Sequence, residues 1–338
     1  MTTQSAIPTL EDVAVLAGVS TATVSRAINF PGKVAPKTRK KVNEAVAKLG
    51  YSPNFGARTM AVRRTHTIGA IIPTMENAIF ARGLQAFQEE LRRHGYTMLV
   101  ASTAYRADTE EEQIRSLVAR GADALLLIGH HRDPEIYRFL DAQNVPVLIT
   151  WAFDALSARP SIGFDNKAAM KDMATQVIKM GHRHLALISA ETASNDRAAE
   201  RHQGILASMR EGSLPVENLA YIETTYGIEE GAVAFEQIMA SDPRPTAVFC
   251  GNDVLAVGAL RRARELGIDI PKDVSIIGFD DIELAQVAHP PLTTVHVPHR
   301  EMGRLAAIAL VEHLDEGTPL TTVELQTRPI MRGTLAPI

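Results

Sequence analysis

The alternation of short apolar runs with amphipathic stretches constrains the fold of this chain more than any other feature. Four runs have the length and composition of buried strands: residues 67–72, 97–101, 124–128 and 145–150. Between them, the spacing of apolar residues predicts helices over residues 80–94, 110–120 and 134–143. Strands that alternate with helices form parallel sheets covered on both faces, so the sequence predicts an α/β doubly wound fold.

The same rhythm returns after a stretch that contains Pro and Ser at residues 157–161. Further strands are predicted over residues 184–189, 246–250 and 275–279, and further helices over residues 173–180, 200–210 and 254–266. A chain of 338 residues is long enough for two such halves behind a small N-terminal domain. We therefore expect a body of two similar doubly wound subdomains that divide near residue 160.

The N-terminal region follows a different pattern, that of three short helices. Thr9 can cap a helix that begins near Leu10, and Gly18 suits the left-handed conformation at its end. Ser20 can cap a second helix, and a third is predicted over residues 36–49. The apolar residues expected to share a core are Val13, Leu16, Ala17, Val24, Ile28, Val42, Ala45, Val46 and Leu49. Such a pair of helices is typical of a helix-turn-helix, whose second helix enters the DNA major groove.

The distribution of charge points to the same partner. Residues 1–66 contain ten Lys and Arg against three acidic residues, a net charge of about +7, while the whole chain carries −4. The remainder of the chain is therefore acidic, at about −11. A charge run by itself usually does no more than solvate a helix, but beside a helix-turn-helix it favours contact with the phosphates of double-stranded DNA.

Several classes of protein are disfavoured by the sequence. Cys250 is the only cysteine, residues 1–8 do not resemble a signal peptide, and no apolar run approaches the length of a membrane helix. We therefore expect a cytoplasmic protein without a membrane partner. The chain has no phosphate-binding loop, no nucleophile elbow and no third ligand near His130 and His131, so no catalytic residue, metal or cofactor is predicted.

Motifs along nearly the whole chain resemble the lactose-repressor and galactose-repressor (LacI/GalR) family of bacterial transcription regulators. They are TLxDVA at 9–14, GVSxxTVSR at 18–26, YxPNxxAR at 51–58, GHR at 181–183, ND at 252–253, GFDD at 278–281 and PLTTV at 291–295. Among its members, the chain is similar to those that respond to sugars or sugar acids, such as the gluconate-utilisation repressors.

The resemblance implies a division into three parts. These are a helix-turn-helix domain over residues 1–50, a hinge linker over 51–65 and an effector-binding, dimerisation body over 66–338. In the body, subdomain N would comprise about 66–160 and 291–322, and subdomain C about 161–290 and 323–338. The resemblance also implies a homodimer on a partly palindromic operator. The chain has no apolar heptad extension at its C-terminal end, so a dimer is expected and not a coiled-coil tetramer.

The resemblance also assigns DNA-contacting positions. Thr21 and Ala22 would read bases, with Arg26 and Asn29 nearby, and the hinge would wedge Met60 into the minor groove. For Arg26, a base contact and a phosphate contact are both open. The remaining candidates are Thr9, Ser20, Thr23, Ser25, Tyr51, Asn54, Ala57 and Arg58.

By the same match, a small effector would lie between the two halves of the body. The positions implied are Ile79, Phe80, His130, Thr150, Arg197, Arg201, Tyr226, Asn252 and Asp280. Carboxylate, amide and guanidinium groups can fork onto vicinal hydroxyls or a carboxylate, and aromatic rings offer apolar faces to a sugar ring. These residues predict a polyhydroxylated ligand, and the effector is not a cofactor of any reaction.

Two departures from the family pattern bear on the effector. Thr150 and Trp151 stand where several relatives carry an acid, and Arg197 stands where a small hydroxyl residue is common. The loss of an acid and the gain of a cation favour a sugar acid, unless Arg197 points to solvent. A repressor is expected, with an activator and a purine- or nucleoside-responsive repressor that needs a corepressor as alternatives. Whether the effector induces or corepresses stays open.

Overall fold

The computed structural model describes residues 7–52, 64–76 and 78–338. Contacts between Cα atoms divide the chain into two compact units, Met1–Thr65 and His66–Ile338. The helices of the N-terminal unit are α1 (Leu10–Ala17), α2 (Thr21–Asn29) and α3 (Pro36–Leu49). All three predicted helices are confirmed.

Side-chain caps explain where the first two helices begin. The hydroxyl of Thr9 accepts the N–H of Asp12 at 3.3 Å, and the N–H of Thr9 donates to the carboxylate of Asp12 at 2.8 Å. This reciprocal pair is a capping box, and Gly18 ends α1 with a φ of 65°. The hydroxyl of Ser20 accepts the N–H of Thr23 at 3.2 Å at the start of α2.

The core of this unit contains the predicted residues with one exception. Val13, Val24 and Val42 are fully buried, but Leu16 is 43% exposed and Ala14 is buried in its place. The prediction for Leu16 was wrong because the buried face of α1 is centred between Val13 and Ala14. At about 100° per residue, Leu16 falls at the edge of that face.

The body contains nine α-helices within the described residues. In chain order they are α4 (Ala81–Arg93), α5 (Ala107–Ala119), α6 (Pro134–Ala142), α7 (Asn166–Lys179), α8 (Asp196–Glu211), α9 (Ile228–Met239), α10 (Asp253–Glu265), α11 (Glu283–Val287) and α12 (His299–Glu316). Its strands are β1 (Thr67–Ile72), β2 (Thr97–Ser102), β3 (Ala124–Ile128), β4 (Val147–Thr150), β5 (Ser161–Gly163), β6 (Leu185–Ser189), β7 (Ala220–Glu223), β8 (Ala247–Cys250), β9 (Ser275–Ile277), β10 (Thr294–His296), β11 (Val323–Glu324) and β12 (Arg328–Ile330).

These strands form two parallel sheets, one in each subdomain. The first sheet has the order β11-β5-β4-β3-β1-β2 and the second has the order β7-β6-β8-β9. Every residue of β3, β6 and β8 is buried, as expected for strands covered on both faces. Strands β10 and β12 pair antiparallel in a separate ribbon. The predicted doubly wound fold is confirmed.

The predicted border between the subdomains needs correction. Residues 161–163 and 323–324 were assigned to subdomain C, but β5 pairs with β4 and β11 pairs with β5 in the first sheet. These strands are three and two residues long, so apolar periodicity could not reveal them. Helix α12, which the sequence analysis also missed, packs on α4 and on the first sheet.

Candidate functional site

A cavity lies between the two subdomains, at the carboxyl ends of their strands. It encloses about 310 Å³ of empty space, its opening to solvent included. The loops after β1, β2, β4, β7 and β9, the first two turns of α8 and the N-cap residue of α10 contribute to its walls. In doubly wound folds this edge of the sheet is where ligands bind, because the loops can vary there without disturbing the strands.

Most of the predicted effector residues line this cavity: Ile79, Phe80, Arg197, Arg201, Tyr226, Asn252 and Asp280. The structure adds Tyr105, Trp151 and Asn195, which the sequence analysis did not propose as effector residues. Tyr105 and Trp151 follow strands β2 and β4, so the rule that selects residues after strands could have found them.

Thr150 and His130 do not line the cavity. Thr150 is fully buried within β4, and its hydroxyl donates to the carbonyl oxygen of Leu127 at 3.2 Å. The Nδ1 atom of His130 lies 3.2 Å from the hydroxyl of Ser157. The backbone N–H of His130, in contrast, reaches Asp196 of the other subdomain at 2.5 Å.

Arg201 is held in the wall of the cavity by two hydrogen bonds. Its side chain donates from Nη1 to Oδ1 of Asn166 at 2.8 Å and from Nη2 to the hydroxyl of Tyr226 at 2.9 Å. The guanidinium also lies 4.8 Å from the ring centroid of Phe279. These contacts fix its orientation, so the cation is preorganised toward the cavity.

Arg197 does not extend into solvent. The residue is 8% exposed and lines the cavity, and its Nη1 atom lies 3.1 Å from Oδ1 of Asp196. The cavity wall therefore holds two arginines, and one of them is already paired with a carboxylate.

Asp280 has an unusual conformation and an unusual acidity. Its φ is 104°, in the left-handed region that disfavours residues other than glycine. Burial raises the pKa of its carboxyl to about 7, although the charges of Arg201 and Arg197 act in the opposite direction. The carboxyl can therefore donate or accept a hydrogen bond near neutral pH.

His299 of α12 forms a hydrogen bond with the backbone of Asp280. Its Nε2 atom donates to the carbonyl oxygen of Asp280 at 3.2 Å, and burial lowers the pKa of the ring to about 4. The ring is therefore neutral at pH 7, with its proton on Nε2.

Three buried donor atoms of cavity residues have no hydrogen-bond partner among the described residues. They are Nε1 of Trp151, Nε of Arg201 and Nδ2 of Asn252. The other end of the Asn252 amide is occupied, because Oδ1 accepts the N–H of Leu255 at 2.9 Å. Buried polar atoms in proteins are almost always paired, so three donors around one cavity fit a ligand rich in acceptor oxygens.

In the N-terminal unit, the early residues of α2 are available to a partner. Thr21, Ala22 and Arg26 are exposed, and Thr23 and Ser25 are half-buried. Tyr51 is half-buried and packs against the apolar core, while Thr9 and Ser20 are exposed caps. The side chain of Asn29 and the residues Asn54, Ala57, Arg58 and Met60 lie outside the described residues.

Helix α3 adds an exposed basic surface. The cations with exposed side chains are Lys37, Arg39, Lys40, Lys41 and Lys48, and Lys40 lies 4.0 Å from Glu44. This surface suits phosphate contacts, which position a protein on DNA without reading its sequence.

Two other kinds of site are absent from the described part of the chain. No group of three or more His, Cys, Asp or Glu there is arranged to hold a metal ion. No helix among those residues combines the length and apolar character that a membrane span requires.

Comparisons with known proteins cover both units. Residues 9–54 match the model described as bacterial regulatory proteins, lacI family, and residues 174–335 match the periplasmic binding protein-like domain. The HTH-type transcriptional repressor PurR of Vibrio atlanticus (strain LGP32) is 35% identical over 333 residues, which are 97% of this chain and 98% of that protein.

Solved structures give the same result. The lac repressor dimer bound to operator and the anti-inducer ONPF has a TM-score of 0.84 and 26% identity, over 97% of this chain and 99% of that one. The complex of the transcriptional regulator CelR with cellobiose has a TM-score of 0.70 and 28% identity, over 97% of this chain and 99% of that one. The similarity extends over both units, and the chain therefore belongs to the LacI family of bacterial transcriptional regulators: it is a DNA-binding regulator and not an enzyme.

Proposed function

We propose that this protein is a homodimeric repressor whose affinity for a partly palindromic operator is set by a sugar or sugar acid in the cleft of the body. Residues 1–50 would bind the major groove through α2, and residues 51–65 would form the hinge. Two relatives support this proposal, because the lac repressor structure holds an anti-inducer on operator and the CelR structure holds cellobiose.

The observation that carries the effector class is the donor-rich wall of the cavity. Trp151, Arg201 and Asn252 each have a buried N–H that no described residue accepts, and the rings of Phe80, Tyr105 and Tyr226 line the same cavity. Ring faces and converging donors suit a carbohydrate, whose faces are apolar and whose edge carries oxygens.

Within that class we propose a sugar acid. Two arginines line the cavity, and the raised pKa of Asp280 allows its carboxyl to be neutral when an anion binds beside it. A bound anion favours the protonated carboxyl, so affinity for a sugar acid should fall as the pH rises from 6 to 8. A neutral sugar that donates hydroxyls to the Asp280 carboxylate should bind with the opposite dependence.

The test is thermal unfolding of the full-length protein with neutral sugars, sugar acids, sugar phosphates and purines. A ligand at a hundred times its dissociation constant should stabilise the native state by about 2.7 kcal/mol. We expect a sugar acid to raise the melting temperature of the wild type and not that of Arg201→Ala. The control is Arg120→Ala, at an exposed position after α5, which should keep the wild-type shift.

Other outcomes of the panel are equally informative. A shift with neutral sugars alone would contradict the sugar acid and leave the carbohydrate class intact. A shift with purines alone would contradict the carbohydrate class and support the corepressor-dependent alternative. Operator binding measured with and without the active compound then decides between induction and corepression.

A further inference from the structure

One carboxylate connects the two subdomains at the rim of the cavity. Asp196 is the first residue of α8, and its Oδ2 atom accepts the N–H of His130 at 2.5 Å and the N–H of His131 at 3.1 Å. Both amides belong to the loop after β3, in the first subdomain, whereas α8 belongs to the second. Hydrogen bonds from backbone N–H groups to a carboxylate are among the stronger ones in proteins.

The other oxygen of the same carboxylate holds Arg197. Oδ1 of Asp196 accepts the backbone N–H of Arg197 at 2.9 Å and its Nη1 atom at 3.1 Å. Burial alone would raise the pKa of Asp196, but Arg197 and the amides of His130 and His131 outweigh it and the pKa lies below its ordinary value. The group is therefore a carboxylate at neutral pH and accepts all of these hydrogen bonds.

Gly129 allows the two subdomains to come this close. Its φ is 75°, and a Cβ at this position would overlap the guanidinium of Arg197 and lie 2.5 Å from Oδ1 of Asp196. A side chain on Gly129 would therefore displace the carboxylate of Asp196 and the guanidinium of Arg197 from the positions in which they meet the loop after β3.

A second contact between the subdomains is weaker. Arg82 of α4 and Glu283 of α11 form an ion pair, but the side chain of Glu283 is 62% exposed. Exposed ion pairs contribute little because solvent screens the charges. The hydrogen bond from His299 to Asp280 and the rings of Tyr105 and Tyr226, whose centroids are 5.6 Å apart, also join the subdomains. Of the two contacts made by side-chain carboxylates, the one through Asp196 should dominate.

We propose that Asp196 is a positioning residue that holds the cleft closed and orients Arg197 within it. Opening of the cleft breaks the hydrogen bonds at Oδ2 and leaves those at Oδ1 in place, so Arg197 stays on the second subdomain. The inference rests on the proposed function only in that the cleft is taken as the effector site.

The test follows the closed cleft directly in the full-length protein without effector. Hydrogen exchange measures protection of the amides of His130 and His131, and acrylamide quenching measures access to Trp151, the only tryptophan of the chain. We expect Asp196→Ala to speed exchange in the segment 128–134 at least tenfold and to raise the quenching constant at least twofold. Asp196→Asn should give intermediate values, because an amide oxygen replaces one charged acceptor.

Two glycines provide a matched pair of variants. Gly129→Ala should open the cleft as Asp196→Ala does, because the added methyl displaces the Asp196 carboxylate from the amides of His130 and His131 instead of removing it. Gly95→Ala has nearly the same backbone strain, with a φ of 77°, but no atom of the described residues lies within 4 Å of the added Cβ. Both readouts should therefore stay at the wild-type level. Glu283→Gln should also leave them unchanged.

Unchanged exchange in both Asp196→Ala and Gly129→Ala would overturn the proposal. Exchange that rises uniformly along the chain would overturn it as well, because a connection at one rim acts locally. Neither readout uses an effector, so failure of the ligand panel and failure of this inference are distinguishable.

Discussion

At the scale of single residues, the buried carboxyl of Asp280 makes the free energy of unfolding depend on pH. The carboxyl is 4% exposed, and its pKa of about 7 lies above the ordinary value of 3.8. Between pH 4 and 7 the native protein therefore holds a proton that the unfolded chain releases. Stability from this group is present below pH 4 and is lost as the pH rises through 7.

The substitution Asp280→Asn should remove the loss of stability that ionisation of Asp280 causes at high pH. We expect the variant to melt at a higher temperature than the wild type at pH 8 and to differ less from it at pH 5, because the amide stays neutral at both. Thermal melts followed by circular dichroism at the two pH values measure the difference. Asp172→Asn, at an exposed position of α7, is the control, and an equal gain at both pH values would contradict the argument.

The resemblance to the family located part of the cleft, at an edge where residues that follow parallel strands converge. Asn252 and Asp280 were assigned by their match to the family motifs, and the structure places them after β8 and β9. Thr150 was chosen one residue too early: its side chain lies inside β4, and the chain turns at Trp151, whose φ is 59°. Successive side chains of a strand point to opposite faces, so an error of one residue selects a core side chain instead of one in the cavity wall.

At the scale of helices, α4 and α12 approach closely through two glycines. A Cβ at Gly303 would overlap the backbone oxygen of Gly83, and a Cβ at Gly83 would lie 2.5 Å from the ring of Trp151. The packing of these helices therefore also sets the position of a cavity residue. Helix α12 was not predicted because residues 305–311 are apolar without interruption. Its buried residues lie on one face, but the half-buried Leu305, Ile308 and Ala309 on the other face hide that periodicity in the sequence.

Gly303→Ala tests this packing. Alanine usually stabilises a helix relative to glycine by about 1 kcal/mol. Here we expect a loss of about 1–3 kcal/mol in the free energy of unfolding, because the added methyl forces the helices apart. Urea denaturation of the full-length protein measures it, with Arg304→Ala on the exposed side of α12 as the control. A gain in stability would show that α4 and α12 can separate without cost.

Helix α2 carries a prediction about DNA. Arg26 is exposed on the face that a major groove would meet, so Arg26→Ala should weaken specific operator binding by about 1–3 kcal/mol, or about 5- to 150-fold. Titration of a selected operator and of a scrambled duplex at two salt concentrations measures the effect. Equal loss on both duplexes would make Arg26 a phosphate contact, and no loss on either would remove it from the interface.

At the scale of the whole molecule, the proposed homodimer predicts a definite mass. Sedimentation equilibrium of the protein without operator, at micromolar concentration, should give about twice the chain mass of 36.7 kDa. A monomer without operator would require that dimerisation occurs on DNA, and a tetramer would contradict the proposal.

The general architecture was predictable from the sequence, because buried parallel strands are apolar along their whole length and the helices between them are periodic. The border between the subdomains was not. Strands β5 and β11 take their place in the first sheet through pairing with neighbours distant in sequence, such as Leu325 N–H to Gly163 oxygen at 2.7 Å, and two or three residues carry no periodic signal of this.

The return of β11 and α12 to the first sheet has a consequence for biosynthesis. The three-helix N-terminal unit is local in sequence and can fold as soon as it leaves the ribosome. The first subdomain begins at β1 but lacks a covering helix and its edge strand until residues 299–324 have been made. Translation must therefore produce most of the second subdomain before the first is complete, so a nascent chain stalled near residue 290 would expose the apolar face of α4 to chaperones and proteases.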